Sequence, residues 1–269
     1  MFAIPLYDDA PMRRRSVIVW LIIAACGIVF LWQISLPPGA ERDVVLGLGF
    51  VPAVFFGKAE LALRLHIVPA WTSIFTSMFL HGGWLHVIGN MLYLWIFGNN
   101  VEDAMSRPRF VAFYLLCGTV AALAQGLAAP ASTIPMIGAS GAIAGVLGAY
   151  FLLQPKANVR VLLYIIVFVR FINLPAVVVL GLWFLVQFIS IAMEPAADAG
   201  VAFWAHAAGF LTGMVLIPLF KDRDVPLFGG PYSTIFAVTR PRPIGRSGSV
   251  PDSGSVPWRR RDPRDRPAG

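Results

Sequence analysis

Two side chains capable of nucleophilic and acid–base chemistry lie in apolar segments of this chain, each among small residues. Ser140 lies in a Gly-Ala-Ser-Gly sequence, and His206 follows an alanine and precedes Gly209 and Gly213. A hydroxyl or an imidazole is costly in lipid unless another protein group pairs with it, and small residues let helix backbones approach closely. The pattern therefore predicts that Ser140 and His206 meet, and such a pair is the minimum requirement for an activated serine nucleophile.

The glycines near both residues repeat at the spacing of one helix face. His206, Gly209 and Gly213 fall at positions i, i+3 and i+7, so the histidine shares the face on which another helix can pack closely. The segment of Ser140 carries a similar set of glycines: Gly138, Gly141, Gly145 and Gly148. We expect these glycines to pack the two helices together, with Ser140 in the first turn of its helix.

A third apolar segment carries His81, His86 and Asn90. His86 and Asn90 are four residues apart and share a helix face, whereas His81 lies off that face and is predicted to neighbour the site without an assigned role. We expect His86, Asn90 and the backbone N–H of Ser140 to stabilise an oxyanion, with His206 as general base. Because no carboxylate is apparent at this depth, a Ser–His dyad is favoured over a triad.

Each motif also has a plain structural interpretation. A serine in an apolar helix commonly bonds to a carbonyl one turn earlier, and a stripe of small residues commonly serves only helix packing. Three histidines raise the question of a metal, but the His-Glu-x-x-His spacing of zinc peptidases is absent, so no metal or cofactor is expected. The coincidence of these groups at one predicted depth favours a catalytic site over separate structural roles.

The composition is that of a membrane protein. The chain has 269 residues, of which 58% are hydrophobic and 13% charged, and its mean hydropathy is +0.73, whereas soluble domains are about 25% charged. Most of the excess positive charge, +7 in total, lies after Phe220, so the charge gives no indication of a nucleic-acid partner. Cys26 and Cys117 fall in apolar runs, which favours buried thiols over disulfides.

Six apolar segments approach the length that crosses a bilayer, which predicts an all-α polytopic protein with a bundle of six transmembrane helices. The predicted spans are 17–32, 74–97, 110–128, 137–154, 174–191 and 201–219. Residues 39–73 are predicted to form an interfacial loop. Residues 159–171 are predicted to form a loop or interfacial piece, because Arg170 would be costly at mid-membrane. The domain prediction is an N-terminal segment (1–16), a membrane domain (17–220) and a basic, disordered tail (221–269).

Positive residues predict the orientation of the spans. The arginines at positions 13–15 and the basic tail would lie on one side, while the uncharged loop 126–136 and the loop with Glu194 and Asp198 would lie on the other. Both termini are therefore predicted to be cytoplasmic.

The three motifs resemble those of rhomboid intramembrane serine proteases in their bacterial six-span form, over residues 72–213. The matching patterns are His-x4-His-x3-Asn at His81, His86 and Asn90, Gly-x-Ser-Gly at Gly138, Ser140 and Gly141, and Ala-His-x2-Gly-x3-Gly at Ala205, His206, Gly209 and Gly213. The resemblance implies Ser140 as nucleophile, His206 as base, and His86 and Asn90 as oxyanion donors. It also implies membrane-anchored protein substrates, cut in or next to a transmembrane helix, and placement in a bacterial inner membrane.

Two other functions remain open from the sequence. A non-catalytic membrane chaperone on the same scaffold would keep its substrate handling after Ser140→Ala. A small transporter or channel could use the polar residues as a path, although no internal repeat of the kind found in many transporters is evident. The sequence identifies neither the particular substrate nor the oligomeric state.

Overall fold

Helices dominate the computed structural model, which describes residues 2–165, 168–193 and 203–230. The elements in chain order are β1 (Phe2–Asp8), α1 (Ile18–Ser35), α2 (Pro38–Leu48), α3 (Pro52–Phe55), α4 (Ser73–Thr76), α5 (Trp84–Asp103), α6 (Arg107–Ala128), α7 (Ser140–Leu153), β2 (Asn158–Ile165), β3 (Phe168–Pro175), α8 (Ala176–Met193) and α9 (Phe203–Phe220). Short 3₁₀ turns occur at Leu63–Leu65 and Ser77–Phe79.

Apolar helices occupy all six of the predicted spans. Within the described ranges, α1, α6 and α9 are long and apolar enough to cross a membrane, and α7 and most of α8 form shorter apolar helices. The 20-residue helix α5 begins in the second predicted span and continues past its predicted end at residue 97 to Asp103. The predicted helical membrane bundle is thus confirmed. The loop with Glu194 and Asp198, the first two residues of the sixth predicted span (201–202), and tail residues 231–269 lie outside the described residues.

The second span begins later than predicted. The expected start was residue 74, but α5 begins at Trp84, after two short helical turns and a non-helical stretch that contains His81. Gly83 caps α5 with a φ of 154°, a conformation that is essentially restricted to glycine, so a continuous helix through this point is excluded. His81 therefore lies before the helix that carries His86 and Asn90, not on it.

A three-stranded antiparallel sheet was not predicted. β2 and β3 form a hairpin, and β1 pairs with β2, so the segment predicted as a loop or interfacial piece is a hairpin that also orders the N-terminus. The side chains of Val159 and Val161, two residues apart, are buried, while Arg160 between them hydrogen-bonds the Asn173 side chain at 2.9 Å on β3. We call the end of the bundle next to this sheet the sheet end.

A single carboxylate joins α1 to α5 at the sheet end. Glu102, near the end of α5, accepts hydrogen bonds from the backbone N–H groups of Val17, Ile18 and Val19 at 2.8, 3.0 and 2.9 Å. These N–H groups have no partner within α1, because the first turn of a helix leaves its donors free. Negative charge is also favourable at that end of a helix, so Glu102 fixes where α1 begins.

The first residues of the tail predicted to be disordered have an ordered backbone. Residues 221–230 follow the bundle: Asp222 N–H donates to Ala104 O at 2.7 Å, and Phe228 N–H donates to Leu152 O at 2.7 Å. Arg13 pairs with Asp224 at 2.6 Å. Composition alone predicted disorder here because this stretch lacks apolar periodicity, but backbone hydrogen bonds and ion pairs fix it against the sheet end.

Replacing Asp8 by asparagine is expected to flatten the pH dependence of stability. The Asp8 carboxylate accepts hydrogen bonds from the Tyr150 hydroxyl and, at 2.9 Å, from the Asn100 amide, and burial raises its pKa from 3.8 to about 7. Between these values the unfolded carboxyl ionises while the folded one keeps its proton. The wild type should therefore lose stability as the pH rises from about 4 to 7, by at most about 1.4 kcal/mol per pH unit.

Thermal unfolding in detergent at pH 5 and pH 8 measures this effect. The melting temperature of Asp8→Asn relative to that of the wild type should be higher at pH 8 than at pH 5. If the melting temperatures of the two proteins changed equally between pH 5 and pH 8, Asp8 would not be the source of the pH dependence.

Glycines set the distance between α7 and α9, the two helices that carry the predicted serine and histidine. A Cβ atom on Gly213 would overlap the backbone carbonyl of Gly145, and one on Gly209 would overlap that of Gly141. The helices therefore pack backbone against backbone, as the small-residue pattern predicts.

Substituting alanine for Gly213 is expected to destabilise the bundle by about 1–3 kcal/mol, because the added methyl group overpacks a backbone contact. The matched control is Gly27→Ala on α1, where a new Cβ meets no atom within 4 Å. Melting temperatures in the same detergent compare the two variants, and equal melting of both would mean that the contact between α7 and α9 is looser than described.

Candidate active site

Ser140 and His206 form a direct hydrogen bond between α7 and α9. The Ser140 Oγ atom lies 2.8 Å from His206 Nε2, and both side chains are partly buried. Ser140 is the first residue of α7, and His206 lies in the first turn of α9. The close packing of these helices thus places a hydroxyl at the ring nitrogen that can accept its proton.

The backbone before Ser140 is shaped by Gly138. Its φ of +118° is rare for residues with a side chain, and its N–H donates to Ser77 O at 2.8 Å. A Cβ at this position would lie 2.7 Å from His86 Nε2. Glycine is therefore needed both for the turn into α7 and for the close approach of the His86 ring.

Two hydrogen-bond donors from α5 face the same region. Asn90 is 9% exposed, and its Nδ2 atom is buried without a hydrogen-bond partner among the described residues. His86 Nδ1 accepts the Gly82 N–H at 3.3 Å, which leaves the proton of a neutral imidazole on Nε2. Ser140 adds its backbone N–H, which the first position of α7 leaves unused within the helix.

These groups line one cavity of about 670 Å³. Its volume is within the range of small-molecule and peptide side-chain sites, about 300–1,000 Å³. Polar and aromatic residues that line it include His86, Asn90, Gln125, Ser140, Trp183 and His206. The cavity combines a nucleophile, a base and hydrogen-bond donors, which is the arrangement required for acyl transfer.

His81 neighbours this cavity but does not line it. Its side chain is fully buried, its Nδ1 lies 3.2 Å from Phe79 O, and its ring meets that of His86 edge-on with centroids 5.2 Å apart. Its backbone is held by Gln33, which accepts the His81 N–H at 3.2 Å and donates to His81 O at 2.9 Å. The contacts favour a supporting position behind His86.

Sequence reasoning missed the contribution of α8. Gln187 Oε1 lies 2.9 Å from His206 Nδ1, and the Trp183 ring lies 5.8 Å from the His206 ring between centroids. Gln187 was detectable as one of the few polar residues in the fifth predicted span, but its target on another helix was not.

A metal site has no support in the described ranges, where no group of three or more histidine, cysteine, aspartate or glutamate side chains comes together.

The fold and cavity together define an integral membrane protein with a serine and a histidine paired between helices. The family model described as Rhomboid domain matches residues 69–223, which include both residues and the donors on α5. The chain belongs to the rhomboid family. The family contains intramembrane serine proteases and also relatives without activity.

Several named proteins are similar to the chain. Rhomboid-like protein 11, chloroplastic, from Arabidopsis thaliana is 28% identical over 80% of this chain and 71% of its own length. RHOMBOID-like protein 5 from the same plant is 28% identical over 80% of this chain, which spans 63% of that protein. Rhomboid protease GluP of Bacillus subtilis is 38% identical over 36% of this chain and 18% of its own length. The chain thus spans from about a fifth to about seven tenths of the length of these relatives.

Proposed function

We propose that this protein is an intramembrane serine endopeptidase that hydrolyses a peptide bond in or next to the transmembrane helix of membrane-anchored proteins. The observation that carries the proposal is the 2.8 Å hydrogen bond between Ser140 Oγ and His206 Nε2 inside a cavity that is also lined by Asn90, whose buried Nδ2 has no partner among the described residues. Family membership supports it, since the matched region contains all these residues.

The chemistry is acyl transfer to Ser140. His206 Nε2 takes the hydroxyl proton as Ser140 Oγ bonds to the carbonyl carbon of the substrate, and the carbonyl oxygen becomes an oxyanion. The His86 and Asn90 side chains and the Ser140 N–H donate to that oxygen. Collapse of the tetrahedral intermediate breaks the C–N bond, and His206 returns the proton to the departing amine. His206 then deprotonates a water molecule as its oxygen bonds to the acyl carbon, the bond from that carbon to Ser140 Oγ breaks, and His206 returns the proton to Ser140 Oγ.

The substrate must present an unwound segment to this cavity. In a transmembrane helix every backbone carbonyl is hydrogen-bonded within the helix, so the bond to be cut is accessible only where the helix is loosened. Segments with small or helix-breaking residues are the expected targets. Water must reach the same cavity for the second step.

The proposed orientation places the sheet end and both termini in the cytoplasm of a bacterial cell, with the membrane domain (17–220) in the inner membrane. Arg13 and Arg14 lie just before α1, and Arg107 and Arg109 lie at the start of α6. These basic residues flank the spans at the sheet end, and positive residues near spans are enriched on the cytoplasmic side.

The test is cleavage of a single-span substrate by the purified protein in lipid vesicles, with the products mapped by mass spectrometry. The substrate carries a glycine-rich stretch in its transmembrane segment, and a matched substrate carries leucine there. We expect a cut in or next to the span of the first substrate only, and none with Ser140→Ala. Cuts confined to the soluble part of the substrate, or cuts that survive Ser140→Ala, would overturn the proposal.

A further inference from the structure

The His206 ring is held from its second nitrogen by a buried amide. Gln187 on α8 is 7% exposed, and its Oε1 atom lies 2.9 Å from His206 Nδ1. The opposite nitrogen of the same ring lies 2.8 Å from Ser140 Oγ. Ser140, His206 and Gln187 therefore form a continuous hydrogen-bonded chain across α7, α9 and α8.

The direction of the Gln187 amide is fixed by a second contact. Its Nε2 atom donates to the backbone carbonyl of Trp183, one turn earlier on α8, at 3.3 Å. Exchanging the two ends of the amide would set its oxygen against that carbonyl oxygen, and two acceptors cannot bond. The oxygen of Gln187 consequently faces His206.

An amide oxygen only accepts hydrogen bonds, so His206 Nδ1 must carry the proton of the neutral imidazole. The tautomer with its proton on Nδ1 leaves Nε2 with a free lone pair, and Nε2 is the atom beside the Ser140 hydroxyl. The opposite tautomer would present an N–H to Ser140 and could not accept its proton. The wrong tautomer of a catalytic histidine is severely disabling in serine proteases.

We propose that Gln187 is a positioning residue that fixes the tautomer and the ring orientation of His206, in the place where many serine proteases use a carboxylate. This inference rests on the proposed function. A neutral amide supplies the acceptor without the penalty of burying a charge. Trp183, packed against the same ring at 5.8 Å between centroids, restricts the ring plane from the side.

The variant that tests the role is Gln187→Met, which keeps the length of the side chain and removes the acceptor. We expect kcat to fall by about 10-fold to 100-fold, because most of the molecules then hold the wrong tautomer, while KM changes by less than about 2-fold. Gln187→Glu, buried and protonated, keeps an acceptor oxygen towards His206 and a hydroxyl donor towards the Trp183 carbonyl, so it should recover kcat to within about 5-fold of the wild type. The matched control is Val186→Ala, a neighbour on the exposed side of α8, which should leave kcat unchanged.

The wild type itself provides a readout that does not depend on a variant folding. Nitrogen NMR of histidine-labelled protein, with the His206 signals identified from their loss in His206→Ala, reports which ring nitrogen carries the proton. We expect Nδ1–H in the wild type. A proton on Nε2 would overturn the proposal, as would wild-type kcat in a folded Gln187→Met protein.

The two proposals fail in different ways. If cleavage by the wild type does not depend on Ser140 and His206, the proposed function fails. If cleavage depends on both residues but is indifferent to Gln187, or if Gln187→Glu is no better than Gln187→Met, only the positioning role fails.

Discussion

Cleavage of a membrane substrate is expected to fall by at least about 10⁴-fold when Ser140 is replaced by alanine, and by a similar factor when His206 is replaced. Ser140 supplies the oxygen that bonds to the substrate carbonyl, and His206 is the group that accepts its proton across 2.8 Å. Because the two act as one unit, the double variant should be no worse than either single variant. Initial rates in vesicles, with wild type and variants at equal protein amounts, measure the effect.

The control for this prediction is Ser35→Ala, a serine at the exposed end of α1 whose hydroxyl bonds to the Trp32 carbonyl. Ser35→Ala should cleave at the wild-type rate. Ser140→Ala should still fold, since the lost hydrogen bond contributes only about 1 kcal/mol, and its melting temperature shows whether it does. The residual cleavage rate of Ser140→Ala should be about 10⁻⁴ of the wild-type rate. A folded Ser140→Ala protein that cleaves at a rate within about 10-fold of the wild type, far above that residual rate, would show that Ser140 is not the nucleophile.

The second large effect is expected on α5. Asn90→Ala should reduce kcat by about 10²-fold to 10³-fold, the usual loss for one oxyanion donor. Asn90 Nδ2 is buried without a partner among the described residues. No hydrogen bond of this group therefore has to be broken in the free enzyme before it donates to the developing oxyanion. The loss should therefore appear equally in kcat and kcat/KM. His86→Ala should give a loss of the same order.

Two further variants separate an oxyanion donor from a packing residue. Asn90→Asp is nearly isosteric with the wild type but replaces the donor by an acceptor that repels an oxyanion, so it should be at least as impaired as Asn90→Ala. Ile88→Ala changes an exposed side chain on the same helix and should leave the rate unchanged. If Asn90→Asp kept the wild-type kcat, Asn90 would be a packing residue.

Local sequence patterns predicted the features that depend only on residues close together in the chain, such as which residues share a helix face. The glycines at i+3 and i+7 from His206 lie on one helix face with it whatever surrounds them. A residue without a side chain is the direct requirement for backbone contact between two membrane helices. The approach of α7 to α9 was therefore readable from Gly141, Gly145, Gly209 and Gly213.

Features that depend on distant parts of the chain were not readable. β1 pairs with β2 across about 150 residues of sequence, and no local signal in an apolar stretch distinguishes such a partner. The three bonds from the start of α1 to Glu102 likewise join segments that are far apart in the chain. Gln187 belongs to the same group, because its bond to His206 depends on how α8 packs.

The start of α5 shows a different limit. Apolar composition continues through residues 74–97 and predicted one helix, yet the backbone at Gly82 and Gly83 interrupts it. The paired glycines were the available signal for this break, and the hydropathy pattern outweighed it. The prediction therefore wrongly placed His81 within the helix, but it correctly placed His86 and Asn90 on a common face of α5.

The most direct test of the account is labelling of the purified wild-type protein by a fluorophosphonate probe, with the modified residue mapped by mass spectrometry. A fluorophosphonate bonds to a serine oxygen only when a neighbouring base activates it. The account predicts one phosphonylated residue, Ser140, and loss of that label in both Ser140→Ala and His206→Ala. A label on another residue, or a label on Ser140 that persists at the wild-type rate in His206→Ala, would contradict it.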